Sequence, residues 1–370
     1  MGRETPPLTY LTLYAYKFRV AIEFKSTLLY LCTSVNTMAI TFTPAEISQY
    51  LHYLELPAKY KDYLSVPKDI EFLRILQVYQ IARVPYENLA LHYSRDHQVI
   101  IDPRHMYNKI MSGRGRGGYC MELCVFYYHI LLALGFNVYQ TGIRIRLRNG
   151  PVPFGDYIGL QAPKNDLAHL SSDIIPSSHT CNIVTFDNGD KYAVDVSFGG
   201  DGPTQPMKLV HGEPATNLGS QQVQLTYESI SPQFVSGQKH WIYQYRNQPE
   251  LPWNHYYCFN ETEFLYGDLV TMNWYVSTFP NSFQNTQILA VKFLRDEEKI
   301  VGKVMLVNRE VKKNMGGRTE LVKVCETERD RIEALEEYFD IILIEEERVG
   351  IKGRVTDLEH PQTETEVMAT

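Results

Sequence analysis

Apolar residues in this chain recur first with a helical period and later with a period of two. Ile47, Tyr50, Leu51 and Leu54 step by three and four behind Thr43-Pro44-Ala45-Glu46, which supplies an N-cap, a proline at the first helical position and an acid in the first turn. A second helix is predicted over 70–84, where Phe72, Ile75, Leu76, Tyr79 and Ile81 form a stripe that must stop before Pro85. A third is predicted over 103–112. The fourth starts near Cys120, stops at Gly135 and is apolar nearly all round, so it is expected to be the buried central helix.

Past Gly135 the period shortens. Ile143, Ile145 and Leu147 alternate with Arg144, Arg146 and Arg148, the pattern of a strand with one cationic face. Residues 149–178, rich in Pro, Gly, Ser and Asp, read as a long inserted loop. Strands at 180–186 and 191–198 are joined by Asp187-Asn188-Gly189-Asp190, a strong hairpin signal. Further strands are expected at 222–227, 241–245, 256–259, 287–294 and 301–308, then a helix at 326–338 and a frayed polar tail from about Gly353. Helices followed by strands followed by a mixed segment argue for an α+β protein and against a doubly wound sheet.

Charge and composition narrow the function classes. With 36 basic against 43 acidic residues the chain carries a net charge of -7, which leaves no global cationic excess for a nucleic-acid backbone. Its most apolar run, near Leu131 to Phe136, is far short of the roughly 20 residues a bilayer span needs. Six thinly spread cysteines point to a reduced, intracellular, cytoplasmic location. At the start, Lys17, Arg19 and Lys25 precede a mildly apolar stretch, whereas a signal peptide carries its charges nearer the first residue. Residues 1–42 are therefore expected to be an extension, with Met38 the natural start or everything before it an appendage.

Arg114-Gly115-Arg116-Gly117-Gly118-Tyr119-Cys120-Met121-Glu122 carries the chemistry: a flexible cationic loop delivers a cysteine to the first turn of a buried helix. Unpaired N–H groups and the positive dipole end favour an anion there, so the thiol is expected below its free pKa of about 8.5. The alternatives are an inert buried cysteine and a phosphate loop, although no Gly-Lys-Ser/Thr ending follows. His129 lies about 900° round the same helix at ~100° per residue and so faces away from Cys120. His179, opening a strand after the inserted loop, is the better base. Asp195 on the partner strand, costly to bury unless paired, suits an imidazole Nδ1–H.

Register decides that pairing. A two-residue Asn188-Gly189 turn sets His179 opposite Phe198 and sends Asp195 to the other face. A three-residue turn with Gly189 in the left-handed position sets His179 opposite Ser197 and makes Asp195 its same-face diagonal neighbour; this bulged turn is predicted. A zinc site from Cys120, Cys124, His179 and Cys181 in a non-catalytic domain is the alternative of another class.

These residues resemble the arylamine N-acetyltransferase family, of fungal type, from about Thr43 to Leu343. Arg116-Gly117-Gly118-Tyr119-Cys120-Met121-Glu122 resembles its nucleophile loop and Val84-Pro85-Tyr86-Glu87-Asn88-Leu89 its Pro-aromatic-Glu-Asn-Leu element. His179 falls at its catalytic histidine, and Asp195-Val196-Ser197-Phe198-Gly199 is similar to the segment round its catalytic acid. Pro280-Asn281-Ser282 and 337–343 resemble its last domain. The resemblance implies a helical bundle over 43–135, a β-barrel over 136–275 and an α/β lid over 276–352, with a cysteine-protease-like core and a polar tail over 353–370.

It also implies a xenobiotic-metabolising acyltransferase without a tightly bound cofactor or metal. Acetyl-CoA, or alternatively malonyl-CoA, donates an acyl group by ping-pong chemistry through Cys120, with His179 and Asp195 completing the triad. An aromatic amine or hydrazine accepts it. Tyr119 and Phe198 are the expected substrate contacts. Cys124 and Ser197 depart from the family's usual Asn and Gly, and a hydrolase on the same triad is the other enzymatic alternative.

Overall fold

The computed structural model describes residues 42–146, 152–157, 160–161, 175–176, 178–231, 233–280 and 282–359. The expectations for residues 1–41, for Leu147 and Arg148, for most of the 149–178 loop, for Asn281 and for residues 360–370 lie outside these.

Local signals fix the helices. In α1 (Pro44–Tyr53) the Thr43 hydroxyl accepts from Glu46 N at 3.3 Å while the Glu46 carboxylate accepts from Thr43 N at 2.8 Å. In α2 (Ile70–Arg83) Asp69 accepts from Phe72 N, and the helix stops because Val84, ahead of Pro85, is extended. Asp102 caps α3 (Pro103–Ile110) in the same way. Helix α4 (Cys120–Ala133) is buried from Cys120 through Tyr127, as its composition predicts. Leu123, Phe126, Ile130 and Leu131 join one core with Tyr50, Phe72 and Leu76, each such burial contributing roughly 1.5–3 kcal/mol.

The strand β1 (Tyr86–Glu87) follows α2. An eight-stranded sheet comes next, built from β2 (Asn137–Ile145), β3 (Ser178–Thr185), β4 (Lys191–Val194), β5 (Met207–Lys208), β6 (Ala215–Thr216), β7 (Gln222–Glu228), β8 (His240–Arg246) and β9 (Asn254–Phe259). They lie in the order β5-β4-β3-β2-β9-β8-β7-β6. The segment after β5 returns to β7, with His211 bridging Leu225 and Gly212 N donating to Leu225 O, so the sheet nearly closes into a barrel. Its interior is apolar and aromatic, filled by Ile183, Ala193, Tyr243 and Tyr257 among others.

The β3–β4 hairpin has the predicted bulged turn. Thr185 pairs with Lys191 and Asn182 with Val194, Phe186 N donates to Asp190 O, and Gly189 sits at φ 85°. Pairing ends at Val194, however, so His179 and Ser197 are not ladder partners. Strand β4 is shorter than predicted because Asp195 turns the chain, its Oδ1 accepting from Ser197 N at 2.9 Å.

Within the segment expected to be a loop, Leu160–Gln161 pairs with Ile175–Pro176 as a small two-stranded sheet; helix α5 (Tyr266–Thr278) and another large sheet follow. That sheet runs β1-β10-β11-β12-β13, with β10 at Leu289–Asp296, β11 at Lys299–Val307, β12 at Glu310–Asn314 and β13 at Thr319–Val324. Helix α6 (Glu328–Phe339) packs on it through Ala334, Leu335 and Phe339. Strand β1 is thus a bundle segment that serves as the edge of the distal sheet, Tyr86 pairing with Val291 and Glu87 with Ala290. The tail is not frayed as far as residue 359: Ile351 is buried, Thr356 O accepts from buried Arg331, and Leu358 N donates to Glu328. The chain is therefore α+β, as predicted. Among the described residues no helix is long and apolar enough to cross a membrane.

Candidate active site

The loop ahead of Cys120 is neither flexible nor freely cationic, which corrects the sequence expectation. It is zipped onto the Pro85–Glu87 segment: Gly118 N donates to Pro85 O and Glu87 N to Gly118 O at 2.9 Å. Side chains are excluded by contact. A Cβ on Gly117 would lie 1.8 Å from Pro85 O, and one on Gly115, at φ 64°, 1.9 Å from Asp340 O. Arg116 is buried and donates to Glu87 at 3.0 Å and to Glu347, while Arg114 pairs with Glu347 from the other side.

Below the loop lies a buried ion cluster. Lys109 reaches Glu122 at 3.0 Å and Glu87 at 3.4 Å. Burial alone would raise the Glu87 carboxyl, but Arg116 and Lys109 overcome it and hold the group down at about 2. Glu122 is pushed up, mainly by burial and further by Glu87, with Lys109 opposing. Its Oε2 still accepts from Tyr119 N at 3.0 Å, which fixes where α4 begins.

Cys120 is the first residue of α4 and is 6% exposed. Its thiol is pushed up, not down. Burial dominates, the N–H groups of Met121 and Cys120 lower it, and the nearby Cys124 and Asp195 raise it further. The helix terminus is thus outweighed by desolvation, and a thiolate here requires a cation beside it.

The candidate for that cation is the imidazole of His179, which Asp195 holds in place. Asp195 Oδ2 lies 2.8 Å from His179 Nε2, both groups are buried, and the bond leaves Nδ1 for other chemistry. The nitrogen engaged is the opposite of the one expected. Ser197 secures the other carboxylate oxygen through its N–H and, at 3.3 Å, its hydroxyl. Gln77 of α2 donates to Asp195 O and Pro203 O, and the buried phenol of Tyr257 is pushed up by burial and further by the nearby Asp195. The sequence gives no hint of either residue, since Gln77 and Tyr257 act across elements distant in the chain.

Cys124 links α4 to the barrel. Gln140 Nε2 lies 3.4 Å from its sulfur, with Thr180 Oγ1 and Asn182 Oδ1 each at 3.7 Å. This packs α4 on β3 beside His179. Phe198, half-buried, sets its ring 5.0 Å from His179, 4.8 Å from Tyr256 and 4.9 Å from Tyr257. Tyr119, expected to touch substrate, is fully buried, and its hydroxyl donates to Asn273 of α5. His129 is half-buried near the far end of α4, consistent with its exclusion as a base. Among the described residues no three His, Cys, Asp or Glu side chains converge as metal ligands, so the Cys120/Cys124/His179/Cys181 zinc arrangement is not formed. Arg144 is exposed, and Arg146 donates to Gly155 O and His255 O.

Comparison with known proteins places these features in context. The sequence profile of an N-acetyltransferase family matches residues 69–153 and 168–348. The N-malonyltransferase of Gibberella moniliformis is 33% identical over 329 residues, covering 84% of this chain and 92% of that protein. The arylamine N-acetyltransferase of Escherichia coli is 27% identical over 232 residues, covering 63% of this chain and 69% of that protein. Among solved structures, the arylamine N-acetyltransferase from Mycobacterium abscessus superposes with a TM-score of 0.64 at 20% identity, covering 82% of this chain and 93% of that one. The Mycobacterium marinum enzyme in complex with CoA gives 0.60 at 22%, covering 84% and 96%.

Proposed function

The chain belongs to the arylamine N-acetyltransferase family and is an acyltransferase, and from that premise we propose that it moves an acyl group from a CoA thioester to an arylamine or arylhydrazine through an acyl-Cys120 intermediate. The observation that carries this is the buried 2.8 Å His179–Asp195 bond, which orients the imidazole and leaves Nδ1 for a thiol that burial otherwise holds protonated.

In this reading His179 takes the Cys120 proton, so that thiolate and imidazolium form together and each stabilises the other. The sulfur attacks the thioester carbonyl, the bond to the CoA sulfur breaks, and His179 returns the proton to the departing CoA thiolate. The amine then attacks the acyl-cysteine. Its proton passes to His179, the new C–N bond forms and the Cys120 thiolate leaves. Asp195 holds the ring and offsets its charge without itself taking the proton. Phe198, in contact with the ring of His179, forms a wall for the aromatic acceptor.

The donor is either acetyl-CoA or malonyl-CoA. The greater identity and coverage shared with the N-malonyltransferases support malonyl-CoA. Intact-mass analysis after brief mixing with each donor tests both points. The expected result is an acyl adduct mapping to Cys120, absent in Cys120→Ala and discharged by an arylamine. No adduct from either donor would reject the reading, and discharge to water at the same rate with or without amine would favour a hydrolase.

A further inference from the structure

A cleft of about 500 Å³ opens between the barrel and the distal sheet, lined by Asp201, Gln221, Asn247, Tyr256, Lys303 and Arg318 among others. One end adjoins the catalytic candidates, because Tyr256 packs on Phe198 and Phe198 on His179. Two cations line the cleft, the exposed Arg318 and the buried Lys303. Lys303, on β11, has a side chain only 10% exposed, and its ammonium donates to Gly200 O.

That ammonium is under-satisfied. It has three N–H groups, and the structure gives it two acceptors, the second being Asp201 Oδ1 at 3.5 Å. Such a distance is long beside the roughly 2.7–2.9 Å of a charge-assisted bond. The other Asp201 oxygen accepts from the Tyr256 hydroxyl at 3.1 Å, which holds the carboxylate on the barrel side. A buried ammonium so loosely compensated calls for another anion. Gly200 keeps the approach narrow and open: a Cβ there would come within 3.5 Å of Lys303 Nζ and 3.2 Å of Met305 Sδ. Arg116 and Lys109, which brace the loop ahead of Cys120, are already committed, Arg116 to Glu87 and Glu347, and Lys109 to Glu87 and Glu122.

We infer that Lys303 recognises a carboxylate carried by one of the two substrates and so sets their selection. This rests on the acyl-transfer reading above. The carboxylate has two possible sources, the free end of a malonyl donor or a ring carboxyl on the arylamine, and the two half-reactions separate them.

Single-turnover acylation of Cys120 by malonyl-CoA and acetyl-CoA reads the first half. Discharge of the acetyl-enzyme by 4-aminobenzoate and by aniline reads the second. Lys303→Met is expected to lower the charged-to-neutral rate ratio by roughly tenfold to a hundredfold in one half only, the fold-change of a lost charged hydrogen bond. Lys303→Arg should restore most of it, which a merely structural lysine would not require. In the wild-type protein, free malonate or benzoate should inhibit the matching half-reaction far better than the uncharged malonamide or benzamide, a readout independent of how the variants fold. Ratios unmoved by Lys303→Met, or equal inhibition by acids and amides, would overturn the Lys303 assignment alone. A wild-type protein that forms no acyl-Cys120 would overturn the acyl-transfer reading and this assignment with it.

Discussion

His179 and Asp195 meet at 2.8 Å although 16 positions and a hairpin separate them, and they do so beyond the last paired residues of that hairpin. The ladder sets the register, but the contact itself is made by a turn: Asp195 leaves the strand, is pinned by Ser197, and aims its second oxygen at the ring. Orientation of the imidazole therefore depends on a short segment held at both ends, by the sheet on one side and by Gln77 of α2 on the other.

Replacing Asp195 by Asn keeps the shape of that segment and removes the charge. Acyl-transfer rates are expected to fall by roughly 10²–10⁴-fold with little change in unfolding temperature. Steady-state kinetics beside thermal denaturation checks this, and a loss below tenfold would contradict an orienting carboxylate. Ser197→Ala, which removes one of two bonds to Oδ1, should cost less.

The thiol of Cys120 is raised by burial, so its reactivity should depend on His179 and not on the helix terminus. In the wild type, alkylation by iodoacetamide is expected to proceed readily at neutral pH through the thiolate–imidazolium pair. In His179→Gln the rate should drop by roughly 100-fold or more at pH 7 and then climb with pH without reaching a plateau by pH 10, because the folded thiol titrates higher. Equal rates in the two proteins would show that the helix N-terminus alone activates the sulfur.

Acid should loosen the structure in two stages. His92 is buried between Thr356 and Gln284, and its imidazole is held down at about 3, chiefly by burial. The unfolded chain binds that proton near pH 6.5, so stability present above that value is lost as pH falls toward 3. Glu87, lowered from 4.5 to about 2, adds a second loss between those values, on the order of 3 kcal/mol. Urea midpoints measured across this range should fall less steeply in His92→Gln below pH 6.5 and in Glu87→Gln below pH 4.5, while Glu87→Gln should already be weakened at neutral pH because Arg116 keeps only Glu347, and Lys109 only Glu122, as a carboxylate partner.

Two glycines should respond differently to alanine. At Gly117 the added Cβ meets a backbone oxygen at 1.8 Å, whereas at Gly189 nothing lies within 4 Å and only the φ of 85° is unfavourable. Gly189→Ala is therefore expected to cost about 1–2 kcal/mol of stability and leave activity intact. Gly117→Ala should displace the loop and remove most acyl-enzyme formation in whatever protein folds. The measurement is adduct yield per folded molecule.

Much of this was legible from local pattern, because the informative forces were local. Thr43, Asp69, Asp102 and Thr327 cap helices with their own side chains, and Gly189 dictates its turn. Helix α5 was missed because its buried face includes Asn273 and Ser277, so no apolar stripe announces it. Strand β13 was missed because nearly all of it is exposed and nothing alternates. At the candidate site, Cys120, His179 and Asp195 could be chosen by residue type and spacing. The direction of the thiol shift could not, since it comes from burial that a sequence does not display. Lys303 and Gln77 were invisible for a similar reason: each acts on a segment more than a hundred positions away.

The loop ahead of Cys120 is completed by residues synthesised long after it. Its Arg116 is held by Glu347, 231 positions later, Arg114 O accepts from Ile342 N, and Gly115 rests on Asp340. On the ribosome, then, the cysteine, histidine and aspartate have all emerged while the wall that shapes the thiol's surroundings is still being made. A chain truncated between Asp195 and Asp340 is therefore expected to carry all three reactive groups and still form no acyl-enzyme.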